Sequence, residues 1–370
     1  MEHEPIRVAQ VIGKMWAGGV EAVVFNYYRA IDKTKIQFDF FYDADSTVEP
    51  PTDLVSMGAH FYKIPPYQKI FSYIFTLEKI LKRNHYTIIH SHLNTLSSIP
   101  LYVAWKVDIP IRIAHNHSVP GGTEWKRNIL KKMLKRLVKI FPTDYFACSE
   151  KAGRWLFGDK LYNSGKVYLM HNAIEISKFK FNLKNREEIR DKWNIQNKLV
   201  IGHVGRFTFA KNHKFLLQIF SEIHKKNPDS ILLLVGDGEL HNQIEKIIEA
   251  LALKPYIVLI GKTNVPENYY SAMDVMVMPS IFEGLSLTTI EAQANGIPVL
   301  VSEAIPDEAI ISNGVSRCSL EDNADIWANQ CLAIAKKKIT LSEKANNYLI
   351  DSQANKLCYW YLESYYRIKN

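Results

Sequence analysis

Short, almost unbroken apolar runs alternate along this chain with longer stretches of helical periodicity. In the first half the runs are Ile6–Ile12, Ile36–Tyr42, Thr87–His90, Ile111–Ala114, Asp144–Cys148 and Lys166–Met170. In the second half they are Leu199–Val204, Ile231–Val235, Tyr256–Ile260, Val275–Pro279 and Pro298–Val301. Continuous rather than alternating apolarity predicts strands buried on both faces, and the helical stretches between them predict parallel α/β sheets. Helices are expected over Val20–Ile31, His213–Lys225 and Ser352–Ile368. Between the two sets of strands lies the charged stretch Glu175–Asn197, which reads as a connector with one short helix. The expected organisation is two doubly wound domains over 1–174 and 198–345, a connector over 175–197, and a final helical segment over 346–370.

The length of 370 residues is two to three times that of a usual single-core domain, which agrees with two cores. With 47% hydrophobic residues and ordinary charge content, disordered, collagen-like and low-complexity classes are excluded. The four cysteines, Cys148, Cys318, Cys331 and Cys358, form no CxxC pair and suggest neither a zinc site nor a disulfide framework. The acidic start Met1-Glu2-His3-Glu4-Pro5 does not read as a secretory signal, and no apolar stretch nears the ~20 residues of a membrane span. A cytoplasmic protein is expected. The excess of basic residues, 46 against 38 acidic and hence +8, points to an anionic partner without saying which.

In open α/β sheets ligands lie beyond the carboxyl ends of the strands, so the loops there are where chemistry is expected. The first strand runs into Gly13-Lys14-Met15-Trp16-Ala17-Gly18-Gly19 before a helix, a place where backbone amides can approach an anion. GxGxxG is absent, which argues against a nicotinamide dinucleotide. The second half opens alike, with Gly205-Arg206-Phe207-Thr208-Phe209-Ala210-Lys211-Asn212 between strand and helix. Arg206 and Lys211 are two cations at a helix N-terminus, an arrangement that suits a diphosphate leaving group. Further on, Pro279 to Ala292 carries Glu283 and Glu291 around Gly284-Leu285-Ser286-Leu287. Eight residues of continuous helix would separate the two glutamates by ~12 Å, more than the roughly 5–9.5 Å of a glycosidase pair. They are therefore expected to grip two ends of an elongated polyhydroxylated ligand.

Taken jointly, Gly-Arg-x4-Lys-Asn, Val235-Gly236-Asp237-Gly238, the Asp274–Ser280 strand and Glu-x7-Glu resemble the retaining GT-B glycosyltransferases of family 4. In the N-terminal half the Gly18-Gly19 loop, Ile88-Ile89-His90-Ser91-His92, Ala147-Cys148-Ser149-Glu150 and His171-Asn172-Ala173-Ile174 with Phe179 look like signposts of that family. The resemblance covers roughly Ile6 to Glu308 and is nearest to enzymes building bacterial exopolysaccharide or capsule. It implies two Rossmann-like domains facing each other across a cleft, with the final helix returning to the first. It implies a hexose or N-acetylhexosamine moved from a nucleotide donor, a UDP-sugar, to a saccharide acceptor that can be lipid-linked. Arg206 and Lys211 would hold the diphosphate, Glu291 the ribose and Glu283 the sugar hydroxyls. Amides around Gly284, Leu285, Ser286 and Leu287 would cradle the phosphates, with Gly18 and Gly19 approaching from the other domain. His115 matches the family's histidine beside the donor sugar. Retention in this family is explained by same-face attack, with the leaving phosphate taking the acceptor proton, so positioning and charge stabilisation are the protein's task. Asn172-Ala173-Ile174 departs from the usual Asn-Gly-Ile, and Pro306-Asp307-Glu308 is a loose fit.

Other readings of the same residues compete. His90/His92 and His115/His117 are two HxH pairs, a pattern zinc also uses, but carboxylate or lysine ligands are missing at later strand ends. Asp43-Ala44-Asp45 spells the DxD of a different transferase fold, whereas the GT-B resemblance implies no metal and no cofactor. The segment 125–141 has an apolar stripe flanked by seven basic side chains and no acid. Such a helix can dock on an anionic membrane surface at ~1 kcal/mol per basic residue, or simply pack on the sheet. No nucleic-acid-binding motif accompanies the charge. A non-catalytic partner subunit and a hydrolysing nucleotide-sugar epimerase share the implied architecture and remain alternatives.

Overall fold

The computed structural model describes residues 4–16, 18–117, 135–263 and 265–369. The chain forms two compact units, one comprising Met1–Ile174 with Asn347–Asn370, the other Glu175–Asn346.

The first unit is built on a seven-stranded sheet of β1 (Ile6–Gly13), β2 (Ile36–Asp43), β3 (His60–Ile64), β4 (Ile88–Ser91), β5 (Ile111–Asn116), β6 (Asp144–Ala147) and β7 (Val167–Leu169). Every pair is parallel and the order is β3-β2-β1-β4-β5-β6-β7. All eight residues of β2 are buried, as expected of a strand covered on both faces. Val11, Phe41, Leu77, Ile89, Leu101 and Ala114 belong to one core. The helices Gly19–Ala30 and Ile350–Arg367 pack against each other in this unit, and the latter inserts Tyr361, fully buried, near β1 and β4.

The second unit has six parallel strands: β8 (Leu199–Val204), β9 (Ser230–Val235), β10 (Ile257–Gly261), β11 (Val275–Met278), β12 (Val299–Ser302) and β13 (Val315–Cys318). Their order is β10-β9-β8-β11-β12-β13. Ile201, Leu216, Phe220, Leu234, Val277, Leu300 and Trp327 make its core. In each unit the chain reverses its direction of travel across the sheet at one place, between β1 and β4 in the first and between β8 and β11 in the second.

Two strands were not legible as apolar runs, β3 and β13. Both lie at sheet edges, pair on one side only, and mix polar with apolar residues, so neither shows the continuous burial of a central strand. The stretch 175–197 is not a free linker. It carries two helices, Ile176–Phe179 and Leu183–Lys192, and packs into the second unit through Arg186 and Arg190, which donate to Asp274 at 2.7 and 2.6 Å.

Most of 125–141 lies outside the described residues. Of its last seven residues, Val138 is buried while Leu137 and Ile140 are exposed. No helix among the described residues is long and apolar enough to cross a membrane. All four cysteines are free thiols and buried.

Candidate active site

At the β8/β11 switch of the second unit, two loops carry the charged residues singled out in the sequence. After β8, Gly205–Phe207 runs alongside Gly236–Gly238 after β9. Gly205 N–H donates to Val235 O at 3.0 Å, and Phe207 N–H to Asp237 O at 3.0 Å. A Cβ on Gly236, whose φ is +138°, would lie 2.0 Å from Gly205 O, and one on Gly238 would lie 2.5 Å from Phe207 O. Glycine is required at both places for two backbones to pass this closely.

A 3-10 turn, Phe209–Lys211, then leads into the helix His213–Lys226 and brings the Lys211 stem against Gly205. Lys211 Nζ donates to Glu283 Oε1 at 2.6 Å, with both side chains mostly buried. Ser280 Oγ donates to the same carboxylate oxygen at 2.8 Å, and Ile281 N–H to Ala210 O at 2.8 Å fastens the two loops together. Arg206 is half exposed, with Glu239 at 3.5 Å.

The helix after β11 begins only at Leu287, so residues 283–286 form a turn and not the continuous helix assumed for the ~12 Å spacing. Ser286 takes a left-handed conformation at φ +59° and its hydroxyl meets that of Thr289 at 2.9 Å. Glu291, one turn into the helix, accepts from Tyr270 Oη at 2.6 Å. Burial pushes its carboxyl up to about 7, against the opposing effect of the tyrosine hydroxyl. The site can thus offer two cations and two carboxyl groups, one of them poised near neutrality, within one set of loops.

In the first unit, Gly18 caps the helix Gly19–Ala30. A Cβ on Gly19 would meet nothing within 4 Å among the described residues, whereas one on Gly18 would strike Glu21 Oε2 and Trp16 Nε1, each at 2.8 Å. Glu21 is buried and accepts from Trp16 N–H at 2.8 Å, so a carboxylate already uses one amide of this loop.

His115 does not follow its strand as expected. β5 continues to Asn116, because His115 and Asn116 still pair with Phe146 and Ala147. The two HxH pairs therefore sit on one sheet face as a buried cluster of four imidazoles, and His115 is wholly inaccessible. His90 Nε2 lies 3.0 Å from His115 Nδ1, and His92 Nδ1 lies 2.8 Å from His117 Nε2. Burial holds His90, His92 and His115 well below the ordinary imidazole range and brings His117 down to about 3.

Nitrogens of His90, His92 and His115 lie within 4.8 Å of one another, close enough to surround a metal ion. These rings are linked at hydrogen-bond distance, His90 to His115 and His92 to His117, and among the described residues no carboxylate joins the set. The geometry is that of a neutral hydrogen-bonded network. Asp43 of the DxD triplet is buried and pushed up to about 6 by that burial and by Asp45, which is itself paired with Lys14 at 2.7 Å.

Two family models match in tandem: "Glycosyltransferase Family 4" over residues 17–178 and "Glycosyl transferases group 1" over 185–350. A Bacillus subtilis (strain 168) protein described as a glycosyltransferase, EpsF, is 30% identical over 335 residues, covering 89% of this chain and 87% of that one. The chain belongs to the family 4 glycosyltransferases.

An Escherichia coli relative, UDP-Gal:alpha-D-GlcNAc-diphosphoundecaprenol alpha-1,3-galactosyltransferase, is 23% identical, with 94% of this chain and 93% of that one covered. The fold of this glycosyltransferase is GT-B, shared with Anabaena Alr3699/HepE crystallised in complex with UDP. The TM-score is 0.74 at 17% identity, over 97% of this chain and 100% of that one.

Of the predicted site residues of the glycosyltransferase, Lys211 and Glu283 are in direct contact, and Arg206, Gly284, Leu285, Ser286, Leu287 and Glu291 belong to the loops and helix of the same switch. Gly18, Gly19 and His115 belong to the other unit. Sequence reasoning missed Tyr270, the partner of Glu291, and Thr288, whose buried hydroxyl has no partner among the described residues at the start of the helix. Neither carried a local signal, since Tyr270 reaches Glu291 from 21 residues away.

Proposed function

We propose that this glycosyltransferase takes a hexose or N-acetylhexosamine from a UDP-sugar and passes it, with retention, to a lipid-linked saccharide during bacterial exopolysaccharide or capsule synthesis. The observation that carries this reading is the Lys211–Glu283 pair at 2.6 Å at the β8/β11 switch, flanked by Arg206 and Glu291. A donor arriving there exchanges one salt bridge for two sets of contacts: Lys211 and Arg206 turn to the diphosphate, and the freed Glu283 accepts from sugar hydroxyls. As the glycosidic bond breaks, charge grows on the phosphate oxygens, and a fixed cation in a partly desolvated place lowers the barrier. Glu291 takes the ribose hydroxyls, and the amides at Leu285, Ser286 and Leu287 meet the phosphates. Gly19, where an added Cβ would meet no described atom within 4 Å, leaves room for an anion. The leaving phosphate accepts the proton of the acceptor hydroxyl, so the reaction needs neither an enzymic nucleophile nor a metal.

The lipid-linked acceptor rests on the E. coli relative's own substrate, and peripheral docking on an anionic membrane surface would bring the two together. On the first unit Phe71 and Phe75 project one turn apart from the helix Ile70–Asn84, with Trp105 also exposed nearby on the helix Ser98–Lys106 that it packs against. Such a surface suits insertion between headgroups.

The test is UDP release measured with and without an undecaprenyl-linked saccharide, over a panel of nucleotide sugars, with the product anomer assigned by NMR. Acceptor-dependent release with retained configuration is expected. No release from any donor would mark a non-catalytic partner subunit, and acceptor-independent release with sugar isomerisation would mark an epimerase.

A further inference from the structure

The helix Ile350–Arg367 has two unlike faces. Gln353, Ala354, Leu357, Cys358, Tyr361 and Ser364 are buried at the spacing of one helical face. Asn355, Lys356, Tyr359 and Glu363 recur at the complementary positions and are exposed, Tyr359 by 68%.

Trp360 stands at the boundary between the faces. Its ring meets Phe146 of β6 edge to face, with centroids 4.8 Å apart at 86°, and Phe146 packs in turn on Tyr168 of β7 at 4.7 Å. The indole is thereby fixed over the β6–β7 side of the first sheet. Tyr168, Asn355, Lys356, Tyr359, Trp360 and Glu363 line an open groove of about 510 Å³ there, within the ~300–1,000 Å³ usual for ligand pockets. In the sheet order β7 lies three strands from β4, so at ~4.8 Å per strand the groove is ~14 Å from the β1/β4 switch.

Among the described residues none of these six side chains makes a hydrogen bond or an ion pair, and Lys356 and Glu363, two turns apart, do not meet. One ammonium, one carboxylate, one amide, two phenol hydroxyls and an indole N–H thus stand free around aromatic rings, offering both donors and acceptors with no net charge. An anionic ligand would be repelled by Glu363, and a purely apolar partner would strip these groups of water without pairing them. A neutral sugar ring has the matching make-up, with hydroxyls at its rim that both donate and accept and C–H faces that pack on aromatic rings.

We infer that this groove on the first unit binds a neutral saccharide chain, with Tyr168, Tyr359 and Trp360 meeting the C–H faces of its rings and Asn355, Lys356 and Glu363 its hydroxyls. Because Phe146 already holds the indole in place, little side-chain freedom is lost when a sugar packs on it. The saccharide chemistry comes from the groove itself; only the identity of the chain, as acceptor or product of the transfer, rests on the function proposed above.

The experiment uses the full chain labelled with 5-fluorotryptophan, without nucleotide, and two neutral probes, maltotriose and N,N′,N″-triacetylchitotriose. The 19F signal of Trp360 is identified by its absence in Trp360→Phe. At least one trisaccharide should shift that signal, with a dissociation constant in the millimolar range. Tyr359→Ala, which removes an exposed ring, should weaken the binding at least tenfold while the melting temperature and UDP affinity stay unchanged, and Glu363→Ala should weaken it several-fold. A Trp360 signal that neither trisaccharide moves, a shift as strong in Tyr359→Ala as in the wild type, or self-association of the chain that Tyr359→Ala abolishes in light scattering would overturn the inference. Neither donor nor turnover enters this measurement. Saccharide bound in the groove of a chain that transfers nothing would therefore count against the proposed function alone, and transfer by a chain whose groove stays empty would count against the groove alone.

Discussion

Replacing Glu291 by glutamine should make the protein more stable and a poorer nucleotide binder. The carboxyl is raised from an ordinary 4.5 to about 7, first by burial. A group whose proton is held more tightly in the folded state gives stability that is present below 4.5 and lost as pH rises to 7. That difference corresponds to roughly 3 kcal/mol, and the side chain's remaining exposure trims it to about 2 kcal/mol. Glutamine keeps an oxygen for the Tyr270 hydroxyl, which donates at 2.6 Å, without ever carrying charge. Urea unfolding of Glu291→Gln against wild type should therefore show a gain of about 2 kcal/mol at pH 8 that vanishes near pH 4.5. In return, a neutral amide is a weaker acceptor for ribose hydroxyls, and UDP affinity should drop on the order of tenfold. Wild-type UDP affinity should likewise weaken as pH falls below 7. A variant less stable than wild type at pH 8, or a difference that does not change with pH, would refute this reasoning.

Three further outcomes are expected. Lys211→Ala should lower turnover by orders of magnitude while the melting temperature moves by only a few degrees; unchanged turnover would contradict its phosphate role. Gly236→Ala, which forces a Cβ to within 2.0 Å of Gly205 O at φ +138°, should cost at least ~3 kcal/mol or prevent folding. Gly19→Ala, with nothing within 4 Å among the described residues, should fold normally, and both are checked by thermal unfolding. The depressed imidazoles of His90, His92, His115 and His117 give stability that is full above about 6.5 and lost as pH falls below it. The slope is up to about 1.4 kcal/mol per histidine per pH unit. A urea midpoint that stays level from pH 7.5 to 5.5 would contradict that burial.

The central strands and the loops after β1, β8 and β11 were readable because burial on both faces leaves an unbroken apolar run, and because glycine and fixed charge mark the strand ends. Edge strands β3 and β13 lack that signature. Gly205, Arg206, Lys211, Glu283 and Glu291 stood out as loop residues after strands and took their expected roles from the family resemblance, but the direct Lys211–Glu283 contact spans 72 residues and had no local sign. His115 was expected just past its strand beside a sugar, and the structure instead buries it within β5 among three other imidazoles. An alternating His-x-His pattern reads equally as ligand spacing and as one face of a strand, and β5 ran two residues longer than its aliphatic run. The Gln10–Tyr361 contact, 351 residues apart, exists only once the last helix has packed on the first sheet.

The account's central claim is that the second unit binds a nucleotide sugar at the β8/β11 switch through its diphosphate. A crystal structure of the chain with UDP tests this most directly. The diphosphate should lie against Lys211 and Arg206, with Glu291 on the ribose and the Lys211–Glu283 contact opened. Nucleotide bound at another place, or bound here with Lys211 still paired to Glu283, would contradict it.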